Sequence, residues 1–278
     1  MRHRSCLYLP GSKPRVLEKA KTLAADALIF DLEDSVLPEA KDEARGAVDA
    51  ALKAGGYGDR TLMVRVNGTE TTWHQDELAW LSASPAHGML VPKVESAEQV
   101  LALDANLDQA GAPKDFALWV MIETPGVVFE LGQIAKVASK TRLEALVLGT
   151  NDLAKGLNAR NTPDRLAFLT TLSLTVAAAR TANLLAIDTV YNDFHDDAGF
   201  REECAQGRTL GFDGKTLIHP SQIAGANEVF SPSPEELAEA HAIIAAFDDP
   251  ANAGKGVLTV GGKMVERLHL DQARRLVE

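Results

Sequence analysis

Apolar residues gather in eight short runs, at positions 6–10, 27–34, 61–67, 88–94, 117–123, 145–152, 186–191 and 214–220. Most are nearly continuous rather than alternating, the pattern of strands buried on both faces. Stretches of helical periodicity lie between them, such as 15–25, 95–103 and 166–182, and Pro14 stands at a favourable first-turn position for the earliest. The runs recur every ~30 residues, the length of one strand–helix unit of a barrel. Eight such units in succession predict a parallel (β/α)8 barrel of the TIM type rather than a doubly wound sheet. No low-complexity tract or internal sequence repeat interrupts the series.

Beyond the eighth run the pattern changes. Ser233-Pro234-Glu235-Glu236 reads as a capping box opening a helix that runs to about Phe247. Residues 248–256, rich in Asp, Gly and Ala, read as a linker. Val257–Val260, a Gly261-Gly262 turn and a helical pattern through Val277 follow. The expected organisation is therefore a barrel over 1–230 and a C-terminal helical extension over 231–278. That extension caps its own barrel or reaches a neighbouring subunit.

Composition narrows the function classes. The 28 Lys and Arg stand against 39 Asp and Glu, a net charge of −11, which argues against a nucleic-acid surface. No apolar stretch approaches the ~18 residues that a membrane span needs. The first four residues run straight into a strand-like segment, so no secretory signal is expected. Two cysteines, Cys6 and Cys204, make neither a disulfide framework nor a zinc spacing, which fits a reducing, cytoplasmic setting.

In such barrels chemistry sits at the C-terminal ends of the strands. Here those ends carry Asp31, Glu33 and Asp34, Arg65 and Asn67, Lys93, Glu123, Asn151 and Asp152, Asp188 and Tyr191, and His219. His219, before Pro220, reads as structural. Glu123 and Asp152 would end adjacent strands and converge. Two carboxylates without His or Cys suit Mg2+, with Mn2+ as the alternative ion. A structural ion pair or a glycosidase acid–base couple are the other readings of such a pair, and Arg65 nearby favours an anionic oxygen substrate. Lys13, Arg15, Lys19 and Lys21 form a local basic cluster after Gly11 and Ser12, either a phosphate patch or a solvated helix face.

The segments SCLYLPGSKPR, LIFDLEDSV, MVRVNG, LVPKVES, MIETPGVV, LGTNDLAK, DTVYNDF and GFDGKTLIHPSQI occur in order along nearly the whole chain. They resemble the citrate lyase beta-subunit and malyl-CoA lyase family of CoA-ester lyases. The resemblance implies a (β/α)8 barrel, Mg2+ dependence, an acyl-CoA substrate with a small 2-oxo acid as the second reactant, and a homotrimer or hexamer. By position it makes Glu123 and Asp152 the metal ligands and Arg65 the contact for substrate carboxylate or oxyanion. It assigns Tyr8, Arg15 and Lys19 to the segment that receives CoA, whose phosphates Arg and Lys can hold.

In the resembled lyases a C-terminal Asp reaches a neighbouring subunit's site as general acid or base. Here Glu266 stands in that place, within Gly-Gly-Lys-Met-Val-Glu-Arg-Leu-His (261–269), a stretch resembling (3S)-malyl-CoA thioesterase relatives. The expected reaction is cleavage or formation of the C–C bond of a 3-hydroxyacyl-CoA such as malyl-CoA or citryl-CoA. The alternatives are hydrolysis of malyl-CoA to malate and CoA, and a citrate lyase beta subunit working on a carrier-bound thioester.

Overall fold

A computed structural model describes residues 2–277; Met1 and Glu278, the ends of the two expected segments, lie outside the described residues. Eight parallel strands close into a barrel in chain order. They are β1 (Ser5–Pro10), β2 (Ala27–Asp31), β3 (Thr61–Arg65), β4 (Gly88–Val91), β5 (Ala117–Ile122), β6 (Leu143–Leu148), β7 (Leu185–Asp188) and β8 (Gly214–Leu217). Closure comes from β1 pairing with β8, in register Ser5 with Lys215 and Leu7 with Leu217. The TIM-type α/β barrel expected from the sequence is thus present. Among the described residues no helix is long and apolar enough to cross a membrane.

Strand alternation sorts the apolar side chains into two cores. Cys6, Ile29, Met63, Leu90, Trp119 and Val147 fill the barrel interior. Their sequence neighbours Leu7, Leu28, Val64, Val91, Val120 and Leu146 face outward into the layer between sheet and helices. Both faces are apolar, which is why the sequence shows runs instead of alternation. Gly88 is required by close approach: a Cβ there would press on the carbonyl oxygen and Cβ of Ala117 and on Met63 Cε. Gly88→Ala is expected to cost about 2–3 kcal/mol, the upper range for an overpacked core, because backbone cannot rotate away. Urea unfolding checks this; an unchanged midpoint would mean that β4 can shift.

Several strands stop earlier than the apolar runs suggest. The Asp31 carboxylate accepts the backbone N–H groups of Glu33 and Ser35 at 3.0 and 3.2 Å and turns the chain out of β2. Lys93 takes a left-handed backbone (φ 55°) beyond β4. After β6 the chain enters the helix Thr150–Leu157 at once, so Asp152 lies in that helix's first turn and not at a strand end. The first helix spans only Pro14–Ala20, and the helix expected over 95–103 is Ala97–Gln109, capped by Ser96. The segment 166–182 is a short 3-10 turn, Leu166–Phe168, followed by the helix Leu169–Thr181.

The chain divides into two compact units, Met1–Phe230 and Ser231–Glu278. In the second, Ser233 and Glu236 form the reciprocal capping box of the helix Pro234–Asp248. A hairpin of β9 (Val257–Val260) and β10 (Lys263–Glu266) precedes the helix Arg267–Val277. Its two-residue turn needs positive φ at both positions, which Gly261 (56°) and Gly262 (79°) supply. The second strand of this hairpin adds to the elements read from sequence. Ala240, Ile243, Val265, Leu270 and Ala273 form the unit's own core.

Candidate active site

At the C-terminal end of the barrel the apolar interior gives way to a cavity of about 360 Å3. The same alternation that fills the core aims Tyr8, Asp31, Arg65, Met121, Thr216 and Ile218 into it. Glu123, Gly149 and Thr189 follow one residue or so beyond their strands, and Asp34, Asn151, Asp152 and Asn192 come from the loops and helix above.

Charge in this cavity is ordered. Arg65 forks onto Asp31, Nε to Oδ1 at 2.7 Å and Nη2 to Oδ2 at 2.8 Å. Its Nη1 lies 3.1 Å from Glu33, whose other oxygen holds Lys93 Nζ at 2.9 Å. Burial alone would raise the Asp31 carboxyl, but the Arg65 guanidinium and its hydrogen bonds hold it below the ordinary range. Glu33 goes the other way, raised by burial against the pull of Arg65 and Lys93.

Glu123 is the least compensated acid. Burial pushes its carboxyl up to about 7, with the Glu33 and Asp152 carboxylates adding to the rise and the Lys93 backbone N–H opposing it. That N–H donates to Oε1 at 2.7 Å, a contact made by the left-handed turn at Lys93. Oε2 lies where a Cβ on residue 149 would come within 2.7 Å, so Gly149 leaves room for the carboxylate. Asp152 is half-buried at a helix N-terminus, where a negative charge is favoured.

Hard oxygen donors therefore outnumber cations here: among the described residues Asp31, Asp34, Glu123 and Asp152 line the cavity against Arg65 alone. Among the described residues no group of three His, Cys, Asp or Glu side chains is arranged to hold a metal. The donor set fits an ion that takes two carboxylates and completes its shell with water and substrate oxygen, the habit of Mg2+. It does not suit zinc, which takes three or four protein ligands.

The structure brings together Tyr8, Arg65, Glu123 and Asp152 of the sequence-predicted residues. It separates Tyr8 from Arg15 and Lys19, with which the sequence grouped it. Tyr8 points into the barrel because it shares the face of Cys6 on β1, whereas Arg15 and Lys19 are exposed on the following helix. The basic cluster also shrinks, since Lys21 is half-buried and bonded to Glu18 at 2.7 Å. Glu266 ends β10 in the second unit, its backbone N–H donating to His269 Nδ1 at 2.9 Å.

Sequence reasoning counted Lys93 among the strand-end polar residues without giving it a particular part, and passed over Gly149, Thr189 and Thr216. Lys93 carries two contacts at once, and its unusual backbone has no signature in residue type. Thr189 and Thr216 are mild polar residues that only the inward phase of β7 and β8 could have flagged. Thr189 Oγ1 accepts the Thr150 N–H at 3.0 Å and so ties the start of the Asp152 helix to the neighbouring strand exit.

A closed parallel barrel with an acid-lined cavity at its strand exits defines a protein of the (β/α)8 class. The chain belongs to the HpcH/HpaI aldolase/citrate lyase family, whose model matches residues 4–220. It is 49% identical over 274 residues to a (3S)-malyl-CoA thioesterase of Cereibacter sphaeroides, covering 98% of this chain and 92% of that one. It is 34% identical over 276 residues to the citrate lyase beta subunit of Escherichia coli, covering 98% and 91%. Among solved structures it resembles the CitE protein of Mycobacterium tuberculosis in complex with magnesium, acetoacetate and coenzyme A. That match has a TM-score of 0.81 and 28% identity, and covers 99% of this chain and 97% of that one.

Proposed function

We propose that this protein is a Mg2+-dependent enzyme acting on the thioester of a 3-hydroxyacyl-CoA of the malyl-CoA type. The observation that carries the reading is the acid-rich cavity in which Glu123 and Asp152 stand beside the Asp31–Arg65 pair. Glu123 and Asp152 would hold the ion, which when bound supplies the positive charge that orients and polarises the hydroxyl and carboxylate oxygens of the acyl group. Arg65, fixed by Asp31, presents a guanidinium edge to the acid end of the substrate. Asp31 thereby sets its direction at some cost in free donors.

Two outcomes share this site. Hydrolysis to malate and CoA is favoured by the 49% likeness to the thioesterase and by Glu266, one methylene longer than the Asp of the lyases. Cleavage to an acyl-CoA and a 2-oxo acid is favoured by the 34% likeness to the citrate lyase subunit. Both need a base, for water in the first and for the substrate hydroxyl in the second. The reading gives that part to Glu266 of another protomer in a homo-oligomer. It is supported by the outward face of the hairpin, where exposed Val257, Thr259 and Met264 surround Glu266.

The deciding experiment incubates the protein with (3S)-malyl-CoA and Mg2+ and measures malate, CoA, acetyl-CoA and glyoxylate separately. Malate and CoA in equal amounts select hydrolysis, while acetyl-CoA with glyoxylate selects cleavage. No product from any 3-hydroxyacyl-CoA tried would overturn the proposal.

Exposed Arg15 and Lys19, which make no ion pair among the described residues, are the proposed contacts for the CoA phosphates. Arg15→Ala and Lys19→Ala are each expected to raise KM for the CoA ester about 3- to 10-fold at low salt, less as salt screens the contact. A pantetheine thioester, without those phosphates, should be turned over alike by variant and wild type. Equal losses with both substrates would mean that the helix surface acts through the fold.

A further inference from the structure

Four charged side chains cluster on the outer side of β7 and β8, behind the cavity. Arg165 Nη1 lies 2.8 Å from each carboxylate oxygen of Asp188. Lys215 Nζ lies 2.6 Å from Glu203 and 3.5 Å from Asp188. Arg165 Nε donates to Gln206 Oε1 at 2.6 Å, on the same helix as Glu203. Asp188 and Lys215 are fully buried, and Arg165 nearly so. Asp188, a strand-end acid by sequence, thus faces away from the cavity, and none of the four charged residues lines it. The charges balance, two against two. Yet apolar side chains of similar volume often serve stability as well as a buried ionic cluster does, so the cluster calls for a further reason.

That reason lies one residue along the chain. Asp188 Oδ1 accepts the Thr189 N–H at 2.8 Å, and the Asp188 carbonyl accepts the Thr216 hydroxyl at 3.0 Å. Thr189 alternates to the cavity side, where its Oγ1 accepts the Thr150 N–H and lies 3.0 Å from Thr150 Oγ1. Thr150 opens the helix whose first turn carries Asp152. The first N–H groups of a helix need acceptors from outside it. Gly149, at the N-cap, has no side chain to offer, because that space belongs to Glu123. Thr189 therefore supplies from β7 the cap that residue 149 cannot.

We propose that Thr189, anchored by the buried Asp188–Arg165 pair, is a positioning residue for Asp152 and sets the affinity of the Glu123–Asp152 pair for its ion. A small ion such as Mg2+ tolerates little error in the placing of its oxygens. A helix start free to shift would spread the two carboxylates over many separations. The inference rests on the Mg2+ reading above, and its test separates the two.

The test is calorimetric titration with Mg2+ alone, beside thermal unfolding without metal. Thr189→Val keeps the shape of the side chain and removes the acceptor. Its Mg2+ affinity should fall ~10- to 100-fold, the usual loss when a group that orients a metal ligand is removed. Thr189→Ser keeps the hydroxyl and should bind Mg2+ nearly as wild type does. Arg165→Gln loosens Asp188 while leaving it the Lys215 ammonium. On the wild-type background it should weaken Mg2+ binding ~3- to 10-fold, and on Thr189→Val it should do nothing more, because effects through one shared link do not add. If Arg165→Gln fails to fold, Arg165→Lys, which keeps the charge, takes its place in this cycle. A role in folding alone would lower the thermal midpoint and leave the affinity of the folded protein unchanged. Unchanged Mg2+ affinity in Thr189→Val, an equal loss in Thr189→Ser, or an Arg165 effect that is absent or additive would overturn the proposal. If wild type binds no Mg2+, the metal reading itself falls, and this inference with it.

Discussion

Replacing Glu123 with Gln, or Asp152 with Ala, should lower Mg2+-dependent turnover by ~10³-fold, the scale of losing a preorganised charge-stabilising group. Either change removes half of the protein's ligands from an ion that takes few. Circular dichroism should stay native, since neither side chain belongs to the apolar cores. Without metal, Glu123→Gln should be at least as stable as wild type, because it takes a buried acid out of a nest of carboxylates. Burial also sets a pH dependence. With the Glu123 carboxyl raised to about 7, proton and ion compete for it. Mg2+ affinity in wild type should therefore fall ~10-fold per pH unit as pH drops below that value, and Glu123→Gln should lose this dependence. Full turnover in either variant would remove the metal assignment.

Glu266→Gln should lower turnover by ~10²-fold or more while leaving substrate affinity nearly unchanged, as expected for loss of a general base. The amide keeps the size of the side chain and cannot accept the proton. If Glu266 serves another protomer, inactive Glu266→Gln mixed with inactive Asp152→Ala should regain part of the activity. Some sites then receive an intact Asp152 from one chain and an intact Glu266 from the next. Recovery requires subunit exchange, which size-tagged chains can verify. No recovery after exchange would assign the tail to its own barrel. Glu266→Asp then probes reaction type: a gain of acetyl-CoA and glyoxylate over malate would tie the longer side chain to hydrolysis.

The sequence by itself determined the barrel and which polar residues stand at its strand exits. Eight apolar runs at even spacing have few ways to bury both faces, and a closed parallel barrel is the one that short connections and right-handed crossovers allow. The capping box at Ser233, the Gly261-Gly262 turn and the convergence of Glu123 and Asp152 on one cavity were likewise legible, because each depends on local chemistry or on strand order. What the residue pattern left open was pairing across the barrel. Asp31 and Arg65 are read separately as strand-end charges. Only β2 and β3 lying side by side, with both residues in the inward phase, makes them a forked ion pair. Lys93 is an ordinary lysine until its left-handed backbone sets N–H on Glu123 and Nζ on Glu33. Tyr8, grouped by sequence with the exposed Arg15 and Lys19, belongs to the cavity floor because side chains on a strand alternate faces. Composition and spacing decide which elements form. Barrel closure brings residues dozens of positions apart within hydrogen-bonding distance, and so decides which charges are neutralised and which acid stays uncompensated.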